Sequence, residues 1–159
     1  MVAGLFQTGI RFSLLDRLID PDPASTRDVL VPSWEQEREF KTSLCRDLTA
    51  LLNTRRAEQD FDPEYQEATR SLLSFGISDF TSYNLKNTLE QDRVRLSIER
   101  AIRQFEPRLD QVEVSVVPPD PLRPVLQFQI TALMRTETAA APVVFDATLQ
   151  RESRRISIS

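Results

Sequence analysis

Hydrophobic residues recur at a helical spacing in the first part of this chain and at a strand spacing in the second part. In the first part, apolar residues recur three or four positions apart, which is typical of helices with one buried face. This spacing predicts four helices, over residues 10–19, 33–53, 64–74 and 85–105. In the second part, apolar residues occupy every second position, which is typical of strands with one buried face. This alternation predicts three strands, over residues 111–117, 125–134 and 143–150.

The end of the chain follows the same alternation. Residues 154–159 alternate between polar and apolar side chains, so they either form a fourth strand or stay open until a partner binds. Helices that come before a run of strands indicate the α+β class. We therefore predict helices followed by a small, mainly antiparallel C-terminal sheet.

The first predicted helix is set apart from the rest of the chain. Three prolines interrupt residues 20–32, and proline does not continue a helix. The sequence therefore predicts an N-terminal arm and linker over residues 1–32, with a detached helix, and a single α+β domain over residues 33–159.

The detached helix carries an apolar stripe that needs a partner. Leu14, Leu15 and Leu18 lie at helical spacing on it. We predict that these leucines bind another protein. The alternative is that they pack against the helices of this chain.

Composition removes several classes of chemistry. The chain has no histidine, one cysteine and three glycines, so it lacks the residues of Ser-His-Asp catalysis, most zinc sites and a glycine-rich phosphate loop. We expect no enzyme activity, no cofactor and no metal. The net charge of −4 gives no general attraction for nucleic acid. Because there is no signal-peptide pattern and no apolar run of membrane-spanning length, we expect a cytoplasmic protein without direct membrane insertion.

The corner between the last predicted helix and the first predicted strand carries two opposite charges around a proline. Glu106 accepts hydrogen bonds, Pro107 fixes the backbone, and Arg108 offers a fork of donors. The three residues form either an internal clamp that holds the corner or a latch for a partner. The residues alone favour the internal clamp.

Four segments in this order resemble a known family. They are FSLLDRL at 12–18, LLNTRR at 51–56, SFGISDF at 74–80 and IRQFEPRL at 102–109. This succession resembles TssE of type VI secretion systems and the related wedge proteins of contractile-tail phage baseplates. The resemblance extends over about residues 10–150, and Ser78 departs from it where proline is common.

The resemblance implies a structural baseplate component of a type VI secretion system, in a cytoplasmic baseplate docked at the inner membrane. It implies TssF, TssG, TssK and sheath subunits as partners. By the same resemblance, Glu106, Pro107 and Arg108 contact the core formed by TssF and TssG. It also suggests that the C-terminal sheet starts sheath assembly by strand complementation, with partner contacts at Arg155, Ile156 and Ile158.

Two other functions remain as alternatives. The family carries a lysozyme-like label, and a peptidoglycan hydrolase would need two carboxylates facing each other across a sugar cleft. Glu106 lies near Asp110 and Glu113 in the sequence, but nothing in the pattern places them across a groove. An unrelated cytoplasmic binding module is the second alternative.

Overall fold

The computed structural model of this protein describes the chain in separate ranges. They are residues 13–18, 33–56, 66–85, 87–118, 125–135, 140–150, 153 and 155–159. None of the helices within these ranges is long and apolar enough to cross a membrane.

Helices precede the sheet, as the sequence predicts. The described helices are α1 (Leu14–Leu18), α2 (Ser33–Asn53), α3 (Gln66–Arg70), a 3-10 helix (Leu72–Ser74) and α4 (Thr88–Phe105). The bounds predicted for the second helix are confirmed. The last helix begins later than residue 85, because the Asn87 side chain accepts a hydrogen bond from the Leu89 N–H at 3.0 Å and caps the helix.

The other two predicted helices differ more from the structure. The prediction over residues 64–74 corresponds to two pieces, α3 and the 3-10 helix. The Ser71 hydroxyl separates them, because it accepts a hydrogen bond from the Leu73 N–H at 3.2 Å and caps the second piece. The prediction over residues 10–19 is described only from residue 13 to residue 18, and the remainder lies outside the described residues.

Four antiparallel strands form one sheet. They are β1 (Leu109–Val117), β2 (Leu126–Arg135), β3 (Ala140–Leu149) and β4 (Ile156–Ile158), and they are arranged in this order. The predicted α+β class with its antiparallel C-terminal sheet is therefore confirmed. Of the two alternatives for the tail, the structure has the fourth strand, in which Ile156 pairs with Leu149.

One hydrophobic core joins the sheet to the two long helices. Its fully buried large side chains are Phe40, Leu44, Leu48, Leu52, Ile77, Phe80, Ile98, Ile102, Phe128, Ile130, Phe145 and Leu149. Each such side chain contributes about 1.5–3 kcal/mol when it leaves water. The core therefore fixes α2 and α4 against the sheet and positions the surfaces described below.

A glycine allows a close approach between the end of α2 and the loop before α4. Gly76 has a φ of +103°, and a Cβ at this position would lie 2.4 Å from the Thr54 carbonyl oxygen. Two backbone hydrogen bonds join the segments. The Ile77 N–H donates to the Thr54 carbonyl at 3.0 Å, and the Arg56 N–H donates to the Ile77 carbonyl at 2.9 Å. Only glycine fits this position without strain.

Candidate protein-interaction site

The corner after α4 is held by a fork of hydrogen bonds between two oppositely charged side chains. Arg108 donates from Nε and Nη2 to the two carboxylate oxygens of Glu106, each at 2.6 Å. Both side chains are nearly buried, with 7% of Glu106 and 11% of Arg108 exposed. Pro107 between them is exposed. Within this chain the charged pair acts as a clamp, and its predicted contact with a partner stays a prediction.

The same arginine ties the corner to α2. Its Nη2 donates to an Asp47 oxygen at 2.7 Å, and its guanidinium carbon lies 5.5 Å from the centre of the Phe40 ring. Burial lowers the pKa of Arg108, but the hydrogen bonds and charges of Glu106 and Asp47 outweigh it and raise the pKa. The guanidinium is therefore permanently charged and bound to two carboxylates, so it is suited to hold the corner rigid.

A second polar cluster fastens α1 to α2. The Asp16 carboxylate accepts hydrogen bonds from the hydroxyls of Ser13 and Ser43, and it forms an ion pair with Arg46 at 2.8 Å. Burial raises the pKa of Asp16, but these hydrogen bonds outweigh it and lower the pKa to about 2. Because Arg46 also pairs with Asp47, the polar contacts continue from α1 through α2 to the corner.

The apolar stripe of α1 faces away from these contacts. Leu14 is 73% exposed, Leu15 is 53% exposed and Leu18 is 75% exposed. The described residues therefore show a short helix that is fastened by its aspartate and leaves its leucines in solvent. Whether residues 1–32 behave as a separate arm stays a prediction.

One edge of the sheet is closed by charged side chains of α4. Arg103 donates to the Val112 carbonyl at 2.6 Å from Nη2, and Arg95 donates to the Val114 carbonyl at 3.3 Å. Glu99 accepts from the Val114 N–H at 3.3 Å. These groups occupy the places that a neighbouring strand would use, so α4 protects the outer edge of β1 from strand addition.

The opposite edge is closed in part by a single amide. Asn53 donates to the Ile156 carbonyl at 2.8 Å and accepts from the Ile156 N–H at 3.0 Å. Ile156 is buried, Ile158 is half-buried, and Arg155 is exposed. The structure thus places the predicted tail residues within the sheet of this chain, and Ile156 contributes to its core. Their predicted partner contacts stay a prediction.

Beyond the short β4, the edge of β3 has no neighbouring strand among the described residues. Asp146 exchanges two hydrogen bonds of 3.0 Å with Ser159, so its backbone faces the β4 side. Every second residue of a strand faces the same edge, so Val144 and Pro142 present their backbone to the open part. Pro142 has no N–H to donate, which limits this edge. Val144 offers both a donor and an acceptor, and its side chain is 45% exposed.

Sequence reasoning did not find the residues that close the edges. Asn53 lies within the LLNTRR segment, but nothing in its local pattern points to a strand more than a hundred positions away. The charges at 95, 99 and 103 recur at i,i+4 spacing, which predicts only helix-stabilising pairs. Their spacing does place them on one helix face. If β1 had been predicted to lie beside that face, these charges would have been candidates for closing its edge.

Two of the three acidic residues weighed for carbohydrate hydrolysis are engaged in structural contacts, and the third, Glu113, is exposed. Both oxygens of Glu106 bind Arg108, and Asp110 pairs with Arg135 across the sheet. Burial raises the pKa of the Cys45 thiol, which disfavours the reactive thiolate. No group of side chains suited to holding a metal ion occurs among the described residues.

Comparison with known proteins identifies a family and similar individual proteins. The family model described as baseplate wedge protein gp25 matches residues 38–139. The baseplate wedge protein gp25 of Enterobacteria phage T4 is 33% identical over 76 residues, which are 48% of this chain and 51% of that protein. This chain therefore spans about half the length of that curated relative.

A solved structure described as the baseplate complex from the type VI secretion system contains a similar chain. Its TM-score is 0.49 at 15% sequence identity, and the match covers 73% of this chain and 98% of the other. The family match extends over more than half of the sequence and confirms the resemblance on which the predicted identity rested. The chain belongs to the baseplate wedge protein gp25 family.

Proposed function

We propose that this protein is a structural subunit of a type VI secretion baseplate. The observation that carries the proposal is the family match over residues 38–139. The four sequence segments resemble TssE together with phage wedge proteins, and the proposal of a secretion system follows the resemblance to TssE, not the family match. In this role the protein binds TssF, TssG and TssK, performs no catalysis, and works on the cytoplasmic side in a baseplate docked at the inner membrane.

The leucines of α1 form the first proposed contact, with another wedge subunit. Leu14, Leu15 and Leu18 are each more than half exposed, and burying a leucine side chain contributes about 1.5–3 kcal/mol. The polar contacts of Asp16 hold the helix in place before the partner arrives. A pre-ordered helix loses less conformational entropy on binding, which favours association.

The second proposed contact is strand addition along β3, continuous with β4. Side chains cap two other stretches of the sheet edge, from α4 at Val112 and Val114 and from Asn53 at Ile156. Among the described residues, no side chain caps the backbone of Val144, which offers both a donor and an acceptor. A strand from the first sheath subunits would extend the sheet here, and Arg155 and Ile158 would lie beside it. This is how we propose that the protein starts sheath assembly.

The third proposed contact is the corner, where Pro107 is exposed above the Glu106–Arg108 pair. The clamp fixes the backbone on both sides of Pro107, so the corner meets the TssF and TssG core as a preformed surface. In this arrangement Pro107 and the exposed remainder of Arg108 make the contact, and Glu106 orients the arginine.

Co-expression with TssF and TssG, followed by affinity purification, tests the assignment to the baseplate. We expect the wild-type protein to co-purify with both. Replacing Leu14 and Leu18 by aspartate should release the protein while its circular dichroism spectrum stays unchanged. A wild-type protein that does not co-purify would contradict the proposal, and unfolding of the leucine variant alone would show that the leucines pack within this chain.

Sheath polymerisation tests strand addition separately. Val144→Pro removes the N–H that faces the open edge and leaves the pairing between β2 and β3 intact, because odd-numbered residues of β3 make that pairing. Val144→Thr keeps the N–H and serves as the matched control. We expect sheath polymerisation to fail with proline and to proceed with threonine. Normal polymerisation with a folded proline variant would refute strand addition at this edge.

A further inference from the structure

A cleft of about 310 Å³ lies between α4 and the loop over residues 74–83, on a part of the molecule that the proposed contacts do not use. Three arginines line it, Arg56 from the end of α2 and Arg93 and Arg100 from α4. None of its described lining residues is acidic. The cleft is therefore a positively charged site on a chain whose net charge is −4.

The arginines on the two faces of α4 differ in their contacts. On the face toward β1, Arg95 and Arg103 both form ion pairs with Glu99 and hydrogen bonds with the β1 backbone. On the cleft face, Arg93 and Arg100 are exposed and have no ion pair with any described residue. They lie seven positions apart, which is two helical turns on the same side. The helix thus keeps a pair of guanidinium groups available beside Arg56.

The lining of the cleft combines these charges with hydroxyl groups and apolar walls. Ser97 adds a hydroxyl that can donate to an oxygen, whereas the buried Ser74 hydroxyl already donates to the Ala68 carbonyl at 3.4 Å. Phe80, Tyr83 and Leu96 form the apolar part. The best-suited occupant has carboxylates close to apolar side chains, since guanidinium groups bind carboxylates through paired hydrogen bonds. The volume lies at the lower end of the roughly 300–1,000 Å³ typical of binding pockets.

We propose that this cleft binds an acidic segment of a partner protein, through carboxylates held by Arg93, Arg100 and Arg56. A nucleic acid is the less suitable anion, because its long phosphate backbone would extend over a surface of negative net charge. A short acidic peptide places its charge only where the three arginines are. The proposal does not depend on the assignment to a secretion baseplate.

Fluorescence anisotropy with a defined probe tests the proposal. The probe is a fluorescein-labelled hexapeptide of alternating glutamate and leucine, added to the purified full-length protein at low salt. We expect saturable binding that weakens as salt is raised. The double variant Arg93→Gln/Arg100→Gln should bind at least about tenfold more weakly, because two charge-assisted contacts are lost. Both positions are exposed, so circular dichroism should show an unchanged fold.

Matched controls make the result specific. Arg38→Gln removes the same charge from an exposed position of α2 outside the cleft, and it should bind within about twofold of the wild type. Failure of the wild type to bind the probe, or equal binding by the double variant, would overturn the proposal. Equal binding of a peptide with glutamine in place of glutamate would overturn the requirement for carboxylates.

Two further probes separate other occupants. Tighter binding of a labelled thymidine oligonucleotide than of the acidic peptide, lost in the double variant, would assign the cleft to nucleic acid instead. Peptide binding that appears only after Glu58, Asp60 and Asp62 are changed to glutamine would assign the cleft to the chain's own acidic segment. Either result would overturn a site for a partner protein.

Discussion

Removing Arg108 should destabilise the fold more than removing any exposed arginine. In Arg108→Ala, the Glu106 carboxylate stays nearly buried and loses both bonds of the fork, each now 2.6 Å long. Asp47 also loses its 2.7 Å bond to the same side chain. Taking one partner from a buried ion pair costs about 3–5 kcal/mol. Because a small part of the Glu106 and Arg108 side chains reaches water, we expect the free energy of unfolding to fall by about 3–4 kcal/mol.

The Glu106→Ala variant should lose less, about 2 kcal/mol, because Arg108 keeps its bond to Asp47. In the double variant neither charge of the fork remains buried alone. Its loss should therefore be smaller than the sum of the two single losses by about 2 kcal/mol. This difference measures the coupling within the fork, separately from any contact with a partner.

Urea unfolding followed by circular dichroism provides the assay. In thermal unfolding of a chain of this size, the Arg108→Ala loss corresponds to a fall in melting temperature of about 6–16 °C. Arg135→Ala is the matched control, because Arg135 makes a similar fork with Asp110, but the two side chains are 65% and 42% exposed. It should cost less than about 1 kcal/mol. If Arg108→Ala costs no more than the control, the corner is not an internal clamp and the reasoning is wrong.

Three further predictions concern the elements around the site. Gly76→Ala should lower the free energy of unfolding by at least about 2 kcal/mol, measured in urea, because the residue has a φ of +103° and the new Cβ would clash with the Thr54 carbonyl. A smaller loss than that of Ser78→Ala would contradict this account. Asn53→Ala should lower the free energy of unfolding by about 1–3 kcal/mol, because both backbone groups of Ile156 lose their partner. Hydrogen exchange at the Ile156 amide should become faster, and unchanged exchange there would show that the Asn53 amide does not hold β4. Because Asp16 has its pKa lowered from 3.8 to about 2, its contribution to docking α1 should be complete above pH 4 and lost as the pH falls through 2; the NMR shifts of the Ser13 and Asp16 amides should report this midpoint, and a midpoint near pH 4 would contradict it.

The sequence alone determined the class of the fold and the faces of its main elements. The positions of Leu44, Leu48 and Leu52 identify the buried face of α2, and the alternation of Phe128 and Ile130 identifies the buried face of β2. These patterns are readable because burial repeats with the local period of a helix or a strand. The four segments added the resemblance to a family of baseplate wedge proteins, and the family match over residues 38–139 confirms that family.

Only the tertiary structure decided how the charged and polar side chains are used. The pairing of Asn53 with Ile156, the bonds from α4 to the β1 edge, and the reach of Arg108 to Asp47 join residues far apart in the chain. A local pattern records whether a side chain faces inward, but the group it meets depends on which elements pack together. The open edge at Val144 and the arginine cleft along α4 arise for the same reason, since each is defined by what neighbouring elements leave uncovered.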